Sequence, residues 1–192
     1  MDFEAYPEAF REMIQTAFNS MDALSSRLEN GEITPGEWFE RMMSIIERSH
    51  SQAMLLGSGL DELTEEMESF LQNQLAIQAE FLSEFQDDYI DNGWQNKYIS
   101  RARLYALSSY SSFSHGDIIA QAGKVLPLPA YPAEGTQCLS NCKCNWEIEV
   151  LNFEAGDFDA YWRLGTDDNC QTCLIRQNEW SPVRIRNGEL LT

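Results

Sequence analysis

The 192-residue sequence predicts an α+β fold in which a helical region is followed by a small β module. Three observations support this fold class. Apolar residues recur at intervals of three and four through most of residues 1–125, which is typical of amphipathic helices. A proline-rich segment ends this pattern, and stretches of alternating apolar and polar residues follow it. We therefore predict two domains, an acidic helical region at 1–125 and a cysteine-rich β module at 126–192.

The helical region is predicted to contain about four helices, judged from the spacing of its apolar residues. Their expected ranges are 2–29, 35–56, 61–91 and 97–123. The second helix has the clearest start, because Thr34 and Glu37 form a capping box around Pro35 at the first helical position. The fourth helix has a serine-rich centre at 108–114, which indicates a close helix contact or a kink. The pattern is compatible with a closed bundle and with an extended arm.

The formal net charge of −18 lies mostly in the helical region. Residues 1–100 contain 20 Asp or Glu and 5 Lys or Arg, whereas residues 101–192 contain 11 and 8. A surface with this excess of negative charge repels the phosphates of nucleic acids. We therefore expect that the first half of the chain does not bind nucleic acid. No stretch reaches the roughly eighteen apolar residues that span a bilayer, and the acidic N-terminus does not resemble a signal peptide. We expect a protein that is neither membrane-embedded nor secreted.

The β module begins after a segment, Leu126 to Gly135, that contains three prolines. This segment is not helical, because proline lacks an N–H donor and restricts the residue before it. Alternating patterns at Trp146–Val150 and Phe158–Leu164 predict two strands, and the turn residues at 154–157 join them into an antiparallel hairpin. A last short strand at Val183–Ile185 is predicted to add an edge.

All five cysteines lie in the β module, in two groups separated by 25 residues. The first group is Cys138, Cys142 and Cys144, and the second is the Cys-x-x-Cys pair Cys170 and Cys173. Such a pair directs two sulfur atoms toward one ion at about 2.3 Å, which is half of a tetrahedral zinc site. The hairpin would bring Cys144, before its first strand, close to Cys170, after its second. We predict one structural Zn²⁺ bound by four of the five cysteines, and the spacing leaves open which two of the first three take part.

Other roles for the cysteines are disfavoured by their context. Two disulfides with a leftover thiol would imply secretion, which the acidic N-terminus argues against. A thioredoxin-like redox pair lacks its surrounding βαβ pattern. Catalytic zinc usually recruits His or Glu, whereas His50 and His115 lie outside both cysteine groups. Because no phosphate loop, nucleophile elbow or His-Glu-x-x-His motif is present, we expect no enzymatic activity.

Several of these motifs resemble the C-terminal region of tailed-phage head morphogenesis proteins, the minor head proteins. The similar features are the run from Leu128 to Trp146 with its Asn-Cys-Lys-Cys element, the run from Trp162 to Cys173, and Trp180-Ser-Pro. The segment Arg101 to Ala106 matches a helix that precedes these elements in the family. The resemblance covers roughly residues 97–186, about half of the chain. The chain departs from the family in two ways. The order of the motifs differs, because Cys-x-x-Cys follows the Asn-Cys-x-Cys element here and usually precedes it in the family. In addition, the His that often precedes Asn-Cys-x-Cys in the family is absent, and Cys138 lies near its position.

This resemblance implies a non-catalytic minor capsid protein that acts in virion assembly. Its expected partners are the portal, capsid or scaffold protein, and its expected location is the host cytoplasm during assembly and then the virion. The alternative is a cellular zinc-ribbon adaptor that binds another protein through an apolar helical face. The sequence does not fix the copy number or the oligomeric state.

Overall fold

The structure is a computed structural model of the chain. It describes residues 7–95, 97–132, 134–137, 142–165 and 169–191. The helices are α1 (Glu8–Glu29), α2 (Pro35–Ser58), α3 (Glu65–Asn92), α4 (Lys97–Leu107), α5 (Tyr110–Ala122) and α6 (Gln171–Glu179). The strands are β1 (Asn145–Asn152), β2 (Asp157–Arg163), β3 (Val183–Arg186) and β4 (Glu189–Leu190). The predicted α+β class is confirmed, because a helix-rich chain carries a small antiparallel sheet near its C-terminus with a cysteine cluster beside it.

The chain forms two compact units. The first contains the residues up to Ala53 together with Leu63–Ser109, and the second contains Met54–Glu62 together with the chain from Tyr110 onward. Helix α2 therefore contributes its last turn to the second unit. The domain boundary predicted at residues 125 and 126 lies within this second unit.

The starts of α2 and α3 are set by threonine caps. At α2, the Thr34 N–H donates to Glu37 Oε2 at 2.9 Å, and the Glu37 N–H donates to Thr34 Oγ1 at 3.2 Å. This is the predicted capping box, and it is confirmed. Helix α3 begins later than expected, at Glu65, because the Thr64 hydroxyl accepts the Met67 N–H and so fixes the helix start there.

An aromatic cluster joins three helices of the first unit. Trp38 of α2 stacks on Phe85 of α3 with ring centroids 4.6 Å apart, and Tyr98 of α4 packs against Phe85 in a tilted arrangement, also at 4.6 Å. All three side chains are fully buried. At the surface, Arg103 of α4 donates through Nε to Asp22 of α1 at 2.9 Å. These contacts fix α1 to α4 as a packed group.

The fourth predicted helix is two helices, because the chain is interrupted at Ser108 and Ser109. The Ser108 hydroxyl donates to the Tyr105 carbonyl at 2.7 Å, and the Ser109 hydroxyl donates to the Ala106 carbonyl at 2.6 Å. Such local bonds offer the backbone an alternative to helical pairing. The kink indicated by the serine-rich centre is therefore present as a break.

The second unit is built on an antiparallel sheet with the strand order β1-β2-β3-β4. The predicted hairpin of β1 and β2 is confirmed, with Trp146 opposite Trp162 and Ile148 opposite Ala160. Beside it, Gln121 of α5 accepts the Ile148 N–H at 2.9 Å, on the edge of β1 that faces away from β2. A side-chain amide thus satisfies part of an otherwise open strand edge.

Helices α2 and α5 approach each other backbone to backbone within the second unit. A Cβ added at Gly57 would lie 2.1 Å from the Phe113 carbonyl oxygen, and one added at Gly116 would lie 2.3 Å from the Met54 carbonyl oxygen. Glycine is therefore required at both positions for this close packing. None of the helices in the described part of the chain combines the length and apolar content needed to cross a bilayer.

Candidate metal centre

Three cysteines from both sequence groups converge in the second unit. The sulfur atoms of Cys142, Cys144 and Cys173 all lie within 4.8 Å of one another. The three side chains are buried, with exposed fractions of 2%, 2% and 0%. Cysteines 31 residues apart in the chain thus form one thiol cluster that could hold a metal ion.

Cys170 lies next to this cluster. It is the residue that precedes the first turn of α6, its side chain is half-buried, and it packs against the same core. Its thiol also interacts with the thiol of Cys173. Cys138, the remaining predicted ligand, lies outside the described residues. Four of the five predicted site residues are therefore found together or adjacent.

Two structural elements position the sulfur atoms. Cys142 and Cys144 precede β1, and Cys170 and Cys173 occupy the start of α6, which follows β2. The pairing of Asn145 with Arg163 places the start of β1 beside the end of β2. Both cysteine groups therefore lie at the same end of the hairpin. This is the geometry that the hairpin prediction required.

A glycine lets the two segments approach closely. Gly165 follows β2, and a Cβ added to it would lie 2.8 Å from Lys143 Cβ and 3.0 Å from the Lys143 carbonyl oxygen. Lys143 is the residue between Cys142 and Cys144. The Cys-Lys-Cys segment is therefore seated directly against the chain at Gly165. Nearby, the Cys144 thiol lies 3.6 Å from Asn169 Oδ1, with the thiol as donor.

The distance between the Cys142 and Cys173 sulfur atoms is too long for a disulfide and close to the spacing of two ligands of one ion. The sulfur atoms of Cys142 and Cys173 are 3.7 Å apart. A disulfide requires about 2.05 Å. A tetrahedral ion with metal–sulfur bonds of about 2.3 Å has sulfur–sulfur edges of about 3.8 Å. The described cysteines form no disulfide with one another, and this pair is already spaced as two ligands of one ion would be.

Burial affects the protonation of the cysteine cluster. Burial raises the pKa of the Cys173 thiol, so that the neutral form is favoured when no ion compensates the charge. A bound divalent cation has the opposite effect and deprotonates the thiols that coordinate it. The start of α6 adds a smaller contribution, because the N–H groups of the first helical turn stabilise negative charge. The buried thiols are therefore neutral without an ion, and a metal ion bound to them would have to displace their protons.

The sequence reasoning missed α6 and the tryptophan cluster that backs the cysteines. Trp146 stacks on Trp180 with ring centroids 6.0 Å apart, and Trp162 meets both rings edge-on. Arg176 of α6 lies 4.8 Å from the Trp180 ring and 5.3 Å from the Trp162 ring, which is a cation–π arrangement. Cys142, Cys144 and Cys173 share one core with Trp146 and Trp162. The sequence contained one indication of this arrangement. Arg176 and Trp180 are four residues apart, a spacing that places two side chains on the same face of a helix.

The two histidines do not join the cluster. His50 is buried in the first unit, where its Nε2 lies 3.0 Å from the Ser108 hydroxyl. His115 is buried in the second unit and packs on Tyr131 at a centroid distance of 4.3 Å. Both are buried residues of helices, His50 in α2 and His115 in α5. In the described ranges, the cysteine cluster includes no His, Asp or Glu ligand.

The chain matches no protein-family model, no curated protein and no solved structure. The resemblance to phage minor head proteins therefore stays a prediction that rests on the quoted motifs.

Proposed function

We propose that Cys142, Cys144, Cys170 and Cys173 bind one structural zinc ion. The observation that carries this proposal is the convergence of three buried sulfur atoms, with the fourth cysteine beside them. Thiolate sulfur is the ligand that zinc prefers in structural sites, and four such ligands complete its tetrahedral shell. Cys138 is then the cysteine that the site does not need.

The zinc ion would connect two segments that share no strand pairing. One segment precedes β1 and the other begins α6, so a shared ion ties the start of the sheet to the helix packed beside it. Structural zinc contributes about 10–16 kcal/mol of binding free energy in small domains at neutral pH. Because whole domains are stable by only about 5–15 kcal/mol, an ion of this kind can decide whether the fold forms.

The proposed site is non-catalytic. Catalytic zinc keeps an open coordination position for water or substrate, and it usually has His or carboxylate ligands. Four cysteine ligands would leave no open position. The cluster is also enclosed by the core that contains Trp146 and Trp162, which limits access to substrate. These features support a structural role.

We further propose that the protein acts in assembly of a tailed-phage head, as a minor head protein that contacts the portal, capsid or scaffold protein. The support is the resemblance of the cysteine elements, of Trp180-Ser-Pro and of the Arg101–Ala106 segment to that family. The segment forms part of α4, and the cysteine elements and Trp180 meet in one core. A structural metal suits a small β unit that cannot bury enough apolar core on its own.

The ligand set is tested by replacing each cysteine with serine and measuring the absorption of the cobalt(II)-substituted protein. Tetrahedral cobalt–thiolate sites absorb in the visible range, and the spectrum reports the number of sulfur ligands. We expect Cys142→Ser, Cys144→Ser, Cys170→Ser and Cys173→Ser to change the spectrum, whereas Cys138→Ser, the matched control, leaves it unchanged. If Cys138→Ser changed the cobalt spectrum, the proposed ligand set would be contradicted.

The assembly role is tested separately by quantitative mass spectrometry of purified proheads and virions. We expect the chain in one or both particles, together with portal and capsid proteins. Its absence from both would contradict the phage proposal without affecting the zinc site. Recovery in a complex that contains only cellular proteins would favour the zinc-ribbon adaptor.

A further inference from the structure

A groove with an unusual charge runs between α1 and α2 in the first unit. Its volume is about 300 Å³. Both helices line it with residues at offsets of zero, three, four and seven, which is one face of a helix. The residues from α1 are Ser20, Ala23, Leu24 and Arg27, and those from α2 are Arg41, Ser44, Ile45 and Arg48. We call this feature the arginine groove.

The arginine groove concentrates positive charge in a strongly acidic part of the chain. Residues 1–100 contain five Lys or Arg, and three of them, Arg27, Arg41 and Arg48, line the groove. Arg27 forms one exposed ion pair, with Glu32 at 3.5 Å. Among the described residues, Arg41 and Arg48 have no ion-pair partner. Although this unit contains many carboxylates, none of them forms an ion pair with Arg41 or Arg48 among the described residues. The groove is therefore suited to bind a negatively charged ligand.

The carboxylate near one end of the groove is already engaged. Glu37 lies in the field of both Arg27 and Arg41, but its Oε2 accepts hydrogen bonds from the Thr34 N–H and hydroxyl. Those hydrogen bonds are the main reason why the pKa of Glu37 lies below its usual value. Glu37 is thus committed to the capping box, and the guanidinium groups of Arg41 and Arg48 are left for a ligand.

The floor of the groove is apolar. Leu24 of α1 is buried and Ile45 of α2 is half-buried. Ile45 lies between Arg41 and Arg48 along α2, and Leu24 lies one turn before Arg27 along α1. Arg41 and Arg48 are seven residues apart, so their Cα atoms are separated by about 10 Å along α2. The groove is therefore elongated, with an apolar centre and a cationic rim.

We propose that the arginine groove binds an acidic amphipathic helix of a protein partner. A third helix laid between two others buries apolar side chains on Leu24 and Ile45 and places its Asp or Glu residues against the arginines. Charge complementarity across such an interface favours the correct partner and speeds association. The proposal does not depend on the zinc site, because every groove residue belongs to the first unit.

Two features favour a protein helix over a nucleic acid. Binding to a phosphate backbone draws on many cationic contacts, whereas the first hundred residues carry a net charge of 5 − 20 = −15. In addition, a phosphate chain would make no use of the apolar floor. A helix with both leucines and glutamates uses the floor and the rim.

The test measures fluorescence anisotropy of labelled peptides with the full-length protein. The probe is a peptide of about 18 residues with leucine at one helical face and glutamate elsewhere, which is long enough to form a helix on binding. The comparison probes are the same peptide with serine in place of leucine and a single-stranded DNA of similar charge. We expect the leucine–glutamate peptide to bind, and its affinity to fall as salt rises.

Protein variants locate the binding to the groove. Arg41→Gln with Arg48→Gln should weaken binding by about tenfold, as two exposed ion pairs at an interface would. Arg163→Gln with Arg184→Gln is the matched control, since it removes the same charge from exposed positions of the sheet and should leave binding unchanged. Ser44→Trp keeps every arginine but fills the groove, and it should weaken binding as well. Circular dichroism and thermal melting confirm that each variant is folded.

Three results would overturn the proposal. In the first, the protein with Arg41→Gln and Arg48→Gln binds the leucine–glutamate peptide as tightly as the wild-type protein does. A second is equal binding of the serine peptide, which would show that the apolar floor is not used. A third is single-stranded DNA that binds as tightly as the peptide and loses affinity in the same variant, because the groove would then be a general polyanion site.

Discussion

Gly165→Ala tests how the metal centre is positioned, without removing any ligand. An alanine methyl group at 165 would lie 2.8 Å from Lys143 Cβ and 3.0 Å from the Lys143 carbonyl carbon and oxygen, whereas ordinary van der Waals contact lies at 3.4–4 Å. The Cys142–Cys144 segment would have to move by about 0.5 Å to relieve the overlap. Metal sites tolerate distance errors of only about 0.2 Å, so the sulfur atoms would leave their positions.

The expected result is a loss of zinc affinity of about 10- to 100-fold, which is the size of effect seen when the groups that orient metal ligands are changed. This corresponds to about 1.4–2.7 kcal/mol of binding free energy. Zinc affinity is measured by competition with a chromophoric chelator. Gly36→Ala is the control, because a Cβ at Gly36 meets no described atom within 4 Å and should leave the affinity unchanged. Wild-type zinc affinity in Gly165→Ala would refute the positioning argument.

Three further predictions concern the helices, and urea unfolding checks each. Gly116→Ala should destabilise the protein by about 3 kcal/mol or more, because its methyl group would lie 2.3 Å from the Met54 carbonyl oxygen; unchanged stability would mean that α2 and α5 are not in backbone contact. Burial lowers the pKa of His50 to about 4, so between about pH 6.5 and pH 4 the unfolded chain binds a proton that the folded chain does not. His50 should therefore contribute a fall in stability of about 3 kcal/mol as the pH drops through this window, in addition to the fall from His115, whose pKa burial also lowers to about 4. His50→Gln should remove the His50 contribution, and an unaltered pH profile would contradict a buried neutral His50. Thr34→Ala should cost about 1 kcal/mol through loss of the α2 cap, and an effect near zero would show that the capping box contributes nothing.

The features that local chemistry dictates could be predicted from the sequence. The capping box at Thr34 and Glu37 depends only on residues three apart, and it is present. The pairing of β1 with β2 follows from alternating side chains and a short turn between them, so that prediction was confirmed as well. The approach of the two cysteine groups follows from that hairpin, which was predicted to bring Cys144 close to Cys170. The structure brings Cys142 and Cys144 to Cys173, with Cys170 beside them.

The remaining features depend on contacts between segments distant in sequence. Helix α6 has only nine residues, and its Leu174 and Ile175 are exposed, so its apolar spacing gives a weak periodic signal. The break between α4 and α5 was indicated only as one of two options, because a serine can bond to the backbone or face a neighbouring helix. The contact between Gly57 and Gly116 joins residues 59 positions apart, and no local pattern reports it.

The zinc content of the purified chain, measured by elemental mass spectrometry against protein concentration, tests the metal proposal most directly. We expect about one zinc ion per chain, as a single tetrahedral thiolate site requires, and we expect a chelator to remove the ion and unfold the second unit. Protein that contains no metal, keeps its cysteines reduced and has the same thermal stability with and without chelator would contradict the proposed zinc site.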